Sequence, residues 1–260
     1  MLRITSYNML GMTGFPREEA EPVIGKPSSE TNMQHFSKVL QELESDIIAI
    51  QEGVPAQTIN RIAGAMGFNA ATFVSPCYWP GHVLARYAIL ESRTFSHSSP
   101  KAESRPLSRC AGAALLQIND DLLWVLNLHL YPHAEEAHRR DEESPLLLRQ
   151  VQRLLQETPN LIILGDFNSN VQETFHQELR KAGFSNALAE TASMSFTIPS
   201  IGSGRDILDH IYLSPSVGSR LVTAHVVKDR GFHAADANSG TWVHSDHLPV
   251  KAELSWSSSS

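Results

Sequence analysis

Several short runs of this sequence are apolar from end to end and then stop on a residue that can do chemistry. Ile47-Ile48-Ala49-Ile50 leads into Gln51 and Glu52, and Leu161-Ile162-Ile163-Leu164 leads into Gly165, Asp166, Phe167 and Asn168. Such runs are far short of the ~20 residues needed to span a bilayer. Their length suits a strand, and without a polar alternate position they read as buried strands. Buried strands of this kind need other layers to cover them.

Helical stretches supply those layers. Phe36, Val39, Leu40 and Leu43 recur at helical spacing, as do Ile59, Ile62, Ala63 and Met66, after which Gly67 is placed to end the helix. Ser144-Pro145 reads as an N-cap followed by proline at the first helical position, with Leu147, Leu148, Val151, Leu154 and Leu155 behind it. Asn170 and Glu173 resemble a capping box for a helix through Leu179 that Gly183 closes. The remaining strands are expected at Leu2 to Asn8, Val83 to Leu90, Ala111 to Ile118, Leu122 to Leu130, Ile207 to Leu213, Leu221 to Val227 and Leu248 to Trp256. Asn119-Asp120-Asp121 turns between two of them, and Gly11 to Ser29 reads as a loop rich in Gly, Pro and Ser. No repeat, linker or composition shift divides the chain. The expectation is one α/β domain over residues 1–256, two packed sheets with helices outside, and a disordered tail from Ser257 to Ser260.

Composition narrows the class of protein. With 260 residues, 42% hydrophobic and 19% charged, the chain reads as soluble and globular, with a core that needs no disulfide. Cys77 and Cys110 form no CxxC motif and read as two free thiols. The start lacks the basic and apolar regions of a signal peptide, so a cytoplasmic location is the default; a secreted chain trimmed of its signal would read the same. The net charge of −7 provides no global attraction to nucleic acid or anionic lipid. A bound cation can reverse that field locally, so a phosphate substrate stays open.

Asn8, Glu52, His129, Asp166, Asn168, Asp209, Asp246 and His247 all lie at or near strand ends. Each alone has an ordinary explanation as a turn, cap or core residue. As an ordered set they do not. Ser6-Tyr7-Asn8, Ile50-Gln51-Glu52, Asn127-Leu128-His129-Leu130, Gly165-Asp166-Phe167-Asn168, Leu208-Asp209-His210-Ile211 and Ser245-Asp246-His247-Leu248-Pro249-Val250 together resemble the endonuclease/exonuclease/phosphatase superfamily. The resemblance runs from residue 4 to about residue 254, and the GDFN and SDHLPV segments are its most specific parts.

The resemblance implies a four-layer α/β sandwich of the DNase I type, two mixed sheets flanked by helices, and hydrolysis of phosphate esters with Mg²⁺ or Mn²⁺. That chemistry needs a cation on the phosphoryl oxygens, an activated water in line, and donors around the phosphate. By resemblance, Glu52 is the principal metal ligand, with Asn8 and Asp246 as direct or water-mediated ligands. Asp166 orients and deprotonates the attacking water, and Asn168 donates to the phosphate. His247 contacts the phosphoryl oxygen or transfers a proton, with Asp209 fixing its tautomer. His129 is a second imidazole around the phosphate or helps the leaving group, and His at this place leans away from the abasic-site repair branch.

Other features carry less. Arg109 resembles the family's substrate-side arginine, or is a solvated strand-end charge. Trp242 and the aromatic stretch Cys77-Tyr78-Trp79-Pro80 are substrate-wall or lid candidates, or loop packing. His133 and His138 are the nearest approach to a zinc pair, but in an acidic segment without HExxH they read as surface. Arg139-Arg140 is followed at once by three acids and is too short for a nucleic-acid patch. Specificity is expected in the loops 11–29, 73–109, 197–206 and 229–244. The 73–109 segment offers aromatics with only Arg86, Arg93, Lys101, Arg105 and Arg109 as cations. A small soluble ester is therefore the expected substrate, with a DNA or RNA nuclease as the alternative and a catalytically silent binding protein as the distant one. A monomer is the default.

Overall fold

The apolar runs pair into two six-stranded sheets packed face to face, with helices on both outer surfaces. The computed structural model describes residues 1–96, 107–132 and 134–256. In chain order the first half holds β1 (Leu2–Asn8), α1 (Arg17–Ile24), α2 (Glu30–Glu42), β2 (Ile47–Gln51), α3 (Ala56–Met66), β3 (Asn69–Phe73), β4 (Gly81–Ala85) and β5 (Ala88–Thr94). There follow β6 (Ala111–Ile118), β7 (Asp121–His129), α4 (Ala137–Glu157), β8 (Leu161–Asp166) and α5 (Thr174–Lys181). The last part holds β9 (Ser185–Asn186), α6 (Ala187–Glu190), β10 (Asp209–Leu213), α7 (Pro215–Gly218), β11 (Leu221–Val226) and β12 (Val250–Leu254).

One sheet runs β11-β12-β1-β2-β4-β3 and the other β5-β6-β7-β8-β10-β9. Each is built around one parallel pair, β1 with β2 and β7 with β8, flanked by antiparallel strands. A parallel pair needs a long crossover, and α1 with α2 supplies it in the first sheet and α4 in the second. The apolar residues sort into three clusters accordingly. Leu2, Ile4, Ile47, Ala49, Val125, Ile162, Leu164, Ile211 and Leu213 pack between the sheets. Phe36, Leu40, Ile59 and Ile62 bury the helices against the outer face of the first sheet, and Leu147, Val151, Leu154 and Leu179 do so on the second.

A buried polar staple joins the sheets near one end. Asn127 donates from Nδ2 to the carbonyls of Ile50 (2.8 Å) and His82 (2.9 Å), while its Oδ1 accepts from Gln51 Nε2 at 2.8 Å. Every polar group in that patch is paired, which is the condition for burying it at low cost.

Four sequence expectations are corrected and one strand was missed. The segment 11–29 is not all loop, because Arg17-Glu18-Glu19-Ala20-Glu21 are good helix formers and α1 buries Ala20 and Ile24. The run Val83 to Leu90 is two strands in different sheets, and the chain crosses over at Arg86-Tyr87, where Arg86 N bonds Asp46 O at 3.0 Å. Strand β3 gave no signal, since Asn69-Ala70-Ala71 are weak strand formers. Helix α4 begins at Ala137, with Pro145 inside it, and Ser144 Oγ donates back to Arg140 O at 2.7 Å instead of capping. Tertiary contacts hold those first turns: Arg140 is buried and donates to the Glu173 carboxylate at 2.8 and 2.9 Å, and Glu143 accepts from Ser108 N and Oγ, both at 2.6 Å. That engagement of Glu173 also removes the capping box: Glu173 occupies the N-cap of α5 without a side-chain cap bond, and Asn170 Oδ1 accepts from Gln172 N at 2.9 Å. Gly183 does close α5, with φ of 85°. Both cysteines are free, and the tail Ser257 to Ser260 lies outside the described residues.

Candidate active site

Alternate residues of a strand face the same side, so the inner face of each strand can be followed to its end. On β8 that face reads Ile162, Leu164, Asp166; on β7 Val125, Asn127, His129; on β10 Leu213, Ile211, Asp209; on β1 Ile4, Ser6, Asn8. The core between the sheets is apolar in the middle and turns polar at this one rim. Strand register then lines the groups up. His129 pairs with Asp166 and Asp166 with Asp209, so three strands place three titratable groups in one row, while Asn8 pairs with Gln51 on the facing sheet.

Glu52 is the exception to alternation. It follows the inward-facing Gln51 and would point outward on a regular strand. Its backbone is left-handed, with φ of 47°, which breaks the pleat and lets its carboxylate join the rim at a cost of ~1–3 kcal/mol. Asn168 also has φ of 47° and holds its turn by donating from its backbone N to Asp166 Oδ1 at 2.9 Å and from Nδ2 to Leu130 O at 3.1 Å. Gly165, at φ of 145°, lies so close to β7 that a Cβ would collide with the Leu128 carbonyl oxygen.

The resulting cluster is tight. Asn8 Nδ2 donates to Asp166 Oδ2 at 3.0 Å. His129 Nε2 lies 3.7 Å from both Glu52 Oε1 and Asp166 Oδ2, and His247 Nε2 lies 3.7 Å from Asp166 Oδ2. His247 Nδ1 is 2.8 Å from Asp209 Oδ2, and since a carboxylate can only accept, His247 donates there. Ser245 Oγ donates to Asn8 O at 2.7 Å and pins the SDH loop to the end of β1. Asp246 is half-buried beside the cluster, where its charge acts on Glu52, Tyr7 and His247.

Electrostatics mark the same place. Burial first, then the charge of Asp166, push the Glu52 carboxyl up to about 8. Burial lowers His129 to about 4 against the pull of Asp166. Burial also opposes charge on His247, but Asp209 and Asp166 outweigh it and raise that imidazole to about 10. Glu52 Oε2 and Asp209 Oδ1 are buried with no hydrogen-bond partner among the described residues. Crowded carboxylates with unpartnered oxygens are a donor set that a cation would satisfy. Hard oxygen donors of this kind fit Mg²⁺ or Mn²⁺.

The ligand atoms are not grouped quite as the motifs implied. Among the described residues, Asp166, Asp209 and His247 each bring one ligand atom within 4.8 Å of the others. Asn8 turns its Oδ1 to Leu10 N at 3.1 Å, so the oxygen faces its own backbone and the amide nitrogen faces the acids. Turning Oδ1 toward a cation would need that amide to flip, at the cost of both hydrogen bonds.

Arg109 stands next to this rim, since Cys110 O accepts from His129 N at 2.8 Å and the Arg109 charge acts on His129. Its guanidinium lies 6.0 Å from the Trp79 ring. Trp242 is not brought to the cluster: it packs on the outer helical layer against His35 (5.7 Å) and His244 (5.8 Å), because the loop before Ser245 runs over α2. Arg86 is engaged with Asp46, and Arg93 with Glu91 and Glu157, so neither faces the site. Lys101, Arg105 and His133 lie outside the described residues, and His138 is exposed on α4. Sequence reasoning passed over Tyr131 and Glu142, which with Arg109 line a cavity between the end of β7 and the start of α4.

The sequence pattern of the Endonuclease/Exonuclease/phosphatase family matches residues 5–247. Among solved structures, a mannosyl-6-phosphatase from Bacteroides thetaiotaomicron superposes with a TM-score of 0.74 at 18% identity, covering 98% of this chain and 100% of that one. The 3′ phosphatase NExo from Neisseria, bound to a product DNA hairpin, gives 0.70 at 15% identity, covering 98% and 100%. A truncated TDP2 from Caenorhabditis elegans gives 0.69 at 15% identity, covering 96% of each chain. No curated protein sequence matches the chain. At such identities the likeness to these structures is one of fold. Among the described residues no helix is long and apolar enough to cross a membrane.

Proposed function

The chain belongs to the endonuclease/exonuclease/phosphatase family, whose members hydrolyse phosphate esters, and we propose that it is a divalent-metal-dependent phosphoesterase acting on a small soluble ester. One observation carries the reading: the Glu52 carboxylate, one oxygen of it buried without a partner, faces His129 and sits in the field of Asp166 and Asp246 at the polar rim of the core. Residues 1–256 act as one domain in this reading, because a single inter-sheet core draws on strands from β1 to β12.

Glu52 and Asp246, with Asn8 after its amide flip, would hold Mg²⁺ or Mn²⁺. The bound cation would supply Lewis-acid stabilisation of the phosphoryl oxygens and a lower pKa for water. The other groups act around it. Asp166 orients the attacking water and accepts its proton, held in place by its own turn through Asn168 N. His247, its Nδ1–H committed to Asp209, presents Nε2 to the phosphoryl oxygen. His129, kept neutral by burial, presents Nε2 on the other side of Asp166. Asn168 spends one amide hydrogen on Leu130 O and keeps the second for the phosphate.

A small substrate is favoured because two of the five cations in the 73–109 segment, Arg86 and Arg93, are paired with acids away from the rim. The test is a panel of p-nitrophenyl phosphate, bis(p-nitrophenyl) phosphate, hexose phosphates, DNA and RNA, each with Mg²⁺, Mn²⁺ or EDTA. Hydrolysis of a small ester that stops with EDTA is expected. Full activity in metal-stripped protein would overturn the mechanism. Efficient DNA or RNA cleavage with a steep loss of affinity in salt would replace the small-ester reading by a nuclease.

A further inference from the structure

Glu52 holds a left-handed backbone conformation, with φ of 47°, at the end of a strand. Such a conformation persists only where the surroundings over-determine it. Three contacts grip this turn in succession. Gly11 N donates to Glu52 O at 2.7 Å, and Gly53 N donates to Pro80 O at 2.8 Å. The third comes from a side chain: His82 Nε2 lies 3.0 Å from Val54 O. A carbonyl can only accept, so His82 donates from Nε2.

His82 reaches the turn through strand register. Val83 and Ala85 of β4 face the core between the sheets, so His82 and Leu84 face the outer layer. There His82 pairs with Ile50 on β2 and with Thr72 on β3. The Thr72 hydroxyl lies 3.0 Å from His82 Nδ1. With the ring proton on Nε2, Nδ1 accepts from that hydroxyl, so Thr72 selects the tautomer that bonds Val54. The imidazole is fully buried and lies against Gly53, where a Cβ would collide with the ring. An apolar side chain would fill the same space but would take this donor from the Val54 carbonyl.

Resting on the reading of Glu52 as a metal ligand, we propose that His82 is a positioning residue for that carboxylate. Its bond to Val54 O, with the tautomer set by Thr72, holds the turn that aims Glu52 into the site. Without that bond the turn relaxes toward a regular strand exit, on which residue 52 faces away from the side of Gln51 and out of the rim. Partners behind a metal ligand commonly change metal affinity by ~10–100-fold.

The test measures Mn²⁺ binding by titration calorimetry, with no substrate and no turnover. His82→Leu should weaken binding about 10–100-fold. His82→Gln, whose amide donates from a similar position, should recover most of that loss. Thr72→Val should weaken binding in the same direction but less, and it carries the test if His82→Leu does not fold. Because His82 acts through Glu52, His82→Leu should add no further loss in a Glu52→Gln background. A core histidine would instead lower Tm and leave the Kd for Mn²⁺ alone. A folded His82→Leu with the parent's Kd overturns the proposal, as does Thr72→Val with the parent's Kd where His82→Leu does not fold. So does an undiminished loss in the Glu52→Gln background, or a His82→Gln no better than His82→Leu. A parent that itself binds no Mn²⁺ would sink the metal reading of the site, and the role of His82 with it.

Discussion

Asp209 Oδ2 lies 2.8 Å from His247 Nδ1, and this hydrogen bond runs from the end of β10 in one sheet to the loop leading into β12 in the other. It fixes which imidazole nitrogen faces Asp166. It also ties the sheets together at the rim where the chemistry is proposed.

Replacing Asp209 by Asn keeps the size of the side chain but removes the anion. We expect kcat on p-nitrophenyl phosphate to fall by ~10²–10³, with near-native circular dichroism. Turnover within a few-fold of the parent would show that Asp209 is a packing residue only.

Removing one negative charge at Glu52 should uncouple stability from metal. Mg²⁺ or Mn²⁺ at about 100 times its Kd stabilises a folded state by ~2.7 kcal/mol, or ~5–10 °C in Tm for a chain of this size. Thermal scans should show that shift in the parent and little of it in Glu52→Gln. A shift of equal size in both would place the metal elsewhere.

His129→Ala separates catalysis from packing. If the imidazole acts on the phosphate or leaving group, turnover per folded molecule falls by ~10²-fold or more for every ester tried. A core histidine would lower Tm and leave turnover per folded molecule alone. Both quantities are to be measured on one preparation.

Mild acid should destabilise this protein through its buried neutral histidines. Burial lowers His176 to about 2 and His82 to about 4, against about 6.5 in an unfolded chain. Both are neutral when folded, so below pH ~6.5 the unfolded state binds more protons and stability falls with pH. The window runs from ~6.5 down to about 4 for His82 and about 2 for His176. Urea melts at pH 7 and pH 5 should differ by ~1–2 kcal/mol per histidine. His176→Gln should flatten the slope, and an identical slope in that variant would reject the assignment.

Much of the candidate site was legible in the sequence because strand alternation is a local property. Leu164 and Asp166, or Ile211 and Asp209, share a face whatever surrounds them, so an apolar run ending in an acid already announces a polar rim. Gly165-Asp166-Phe167-Asn168 was legible through its resemblance to a family motif. Other features depended on which surfaces meet. Val83 to Leu90 has one unbroken strand pattern, yet its halves belong to different sheets, since nothing local distinguishes a strand that continues from one that crosses over. Ser144-Pro145 has good start chemistry, yet α4 begins earlier, because the buried Arg140–Glu173 pair outweighs a preference of about a kcal/mol. Trp242 stands three residues from Ser245 but faces the helical layer, while Tyr131, Glu142 and Cys77, far apart along the chain, share one cavity. Local sequence sets the face on which a side chain stands. Packing between elements, whose energies exceed those preferences, decides what that face meets.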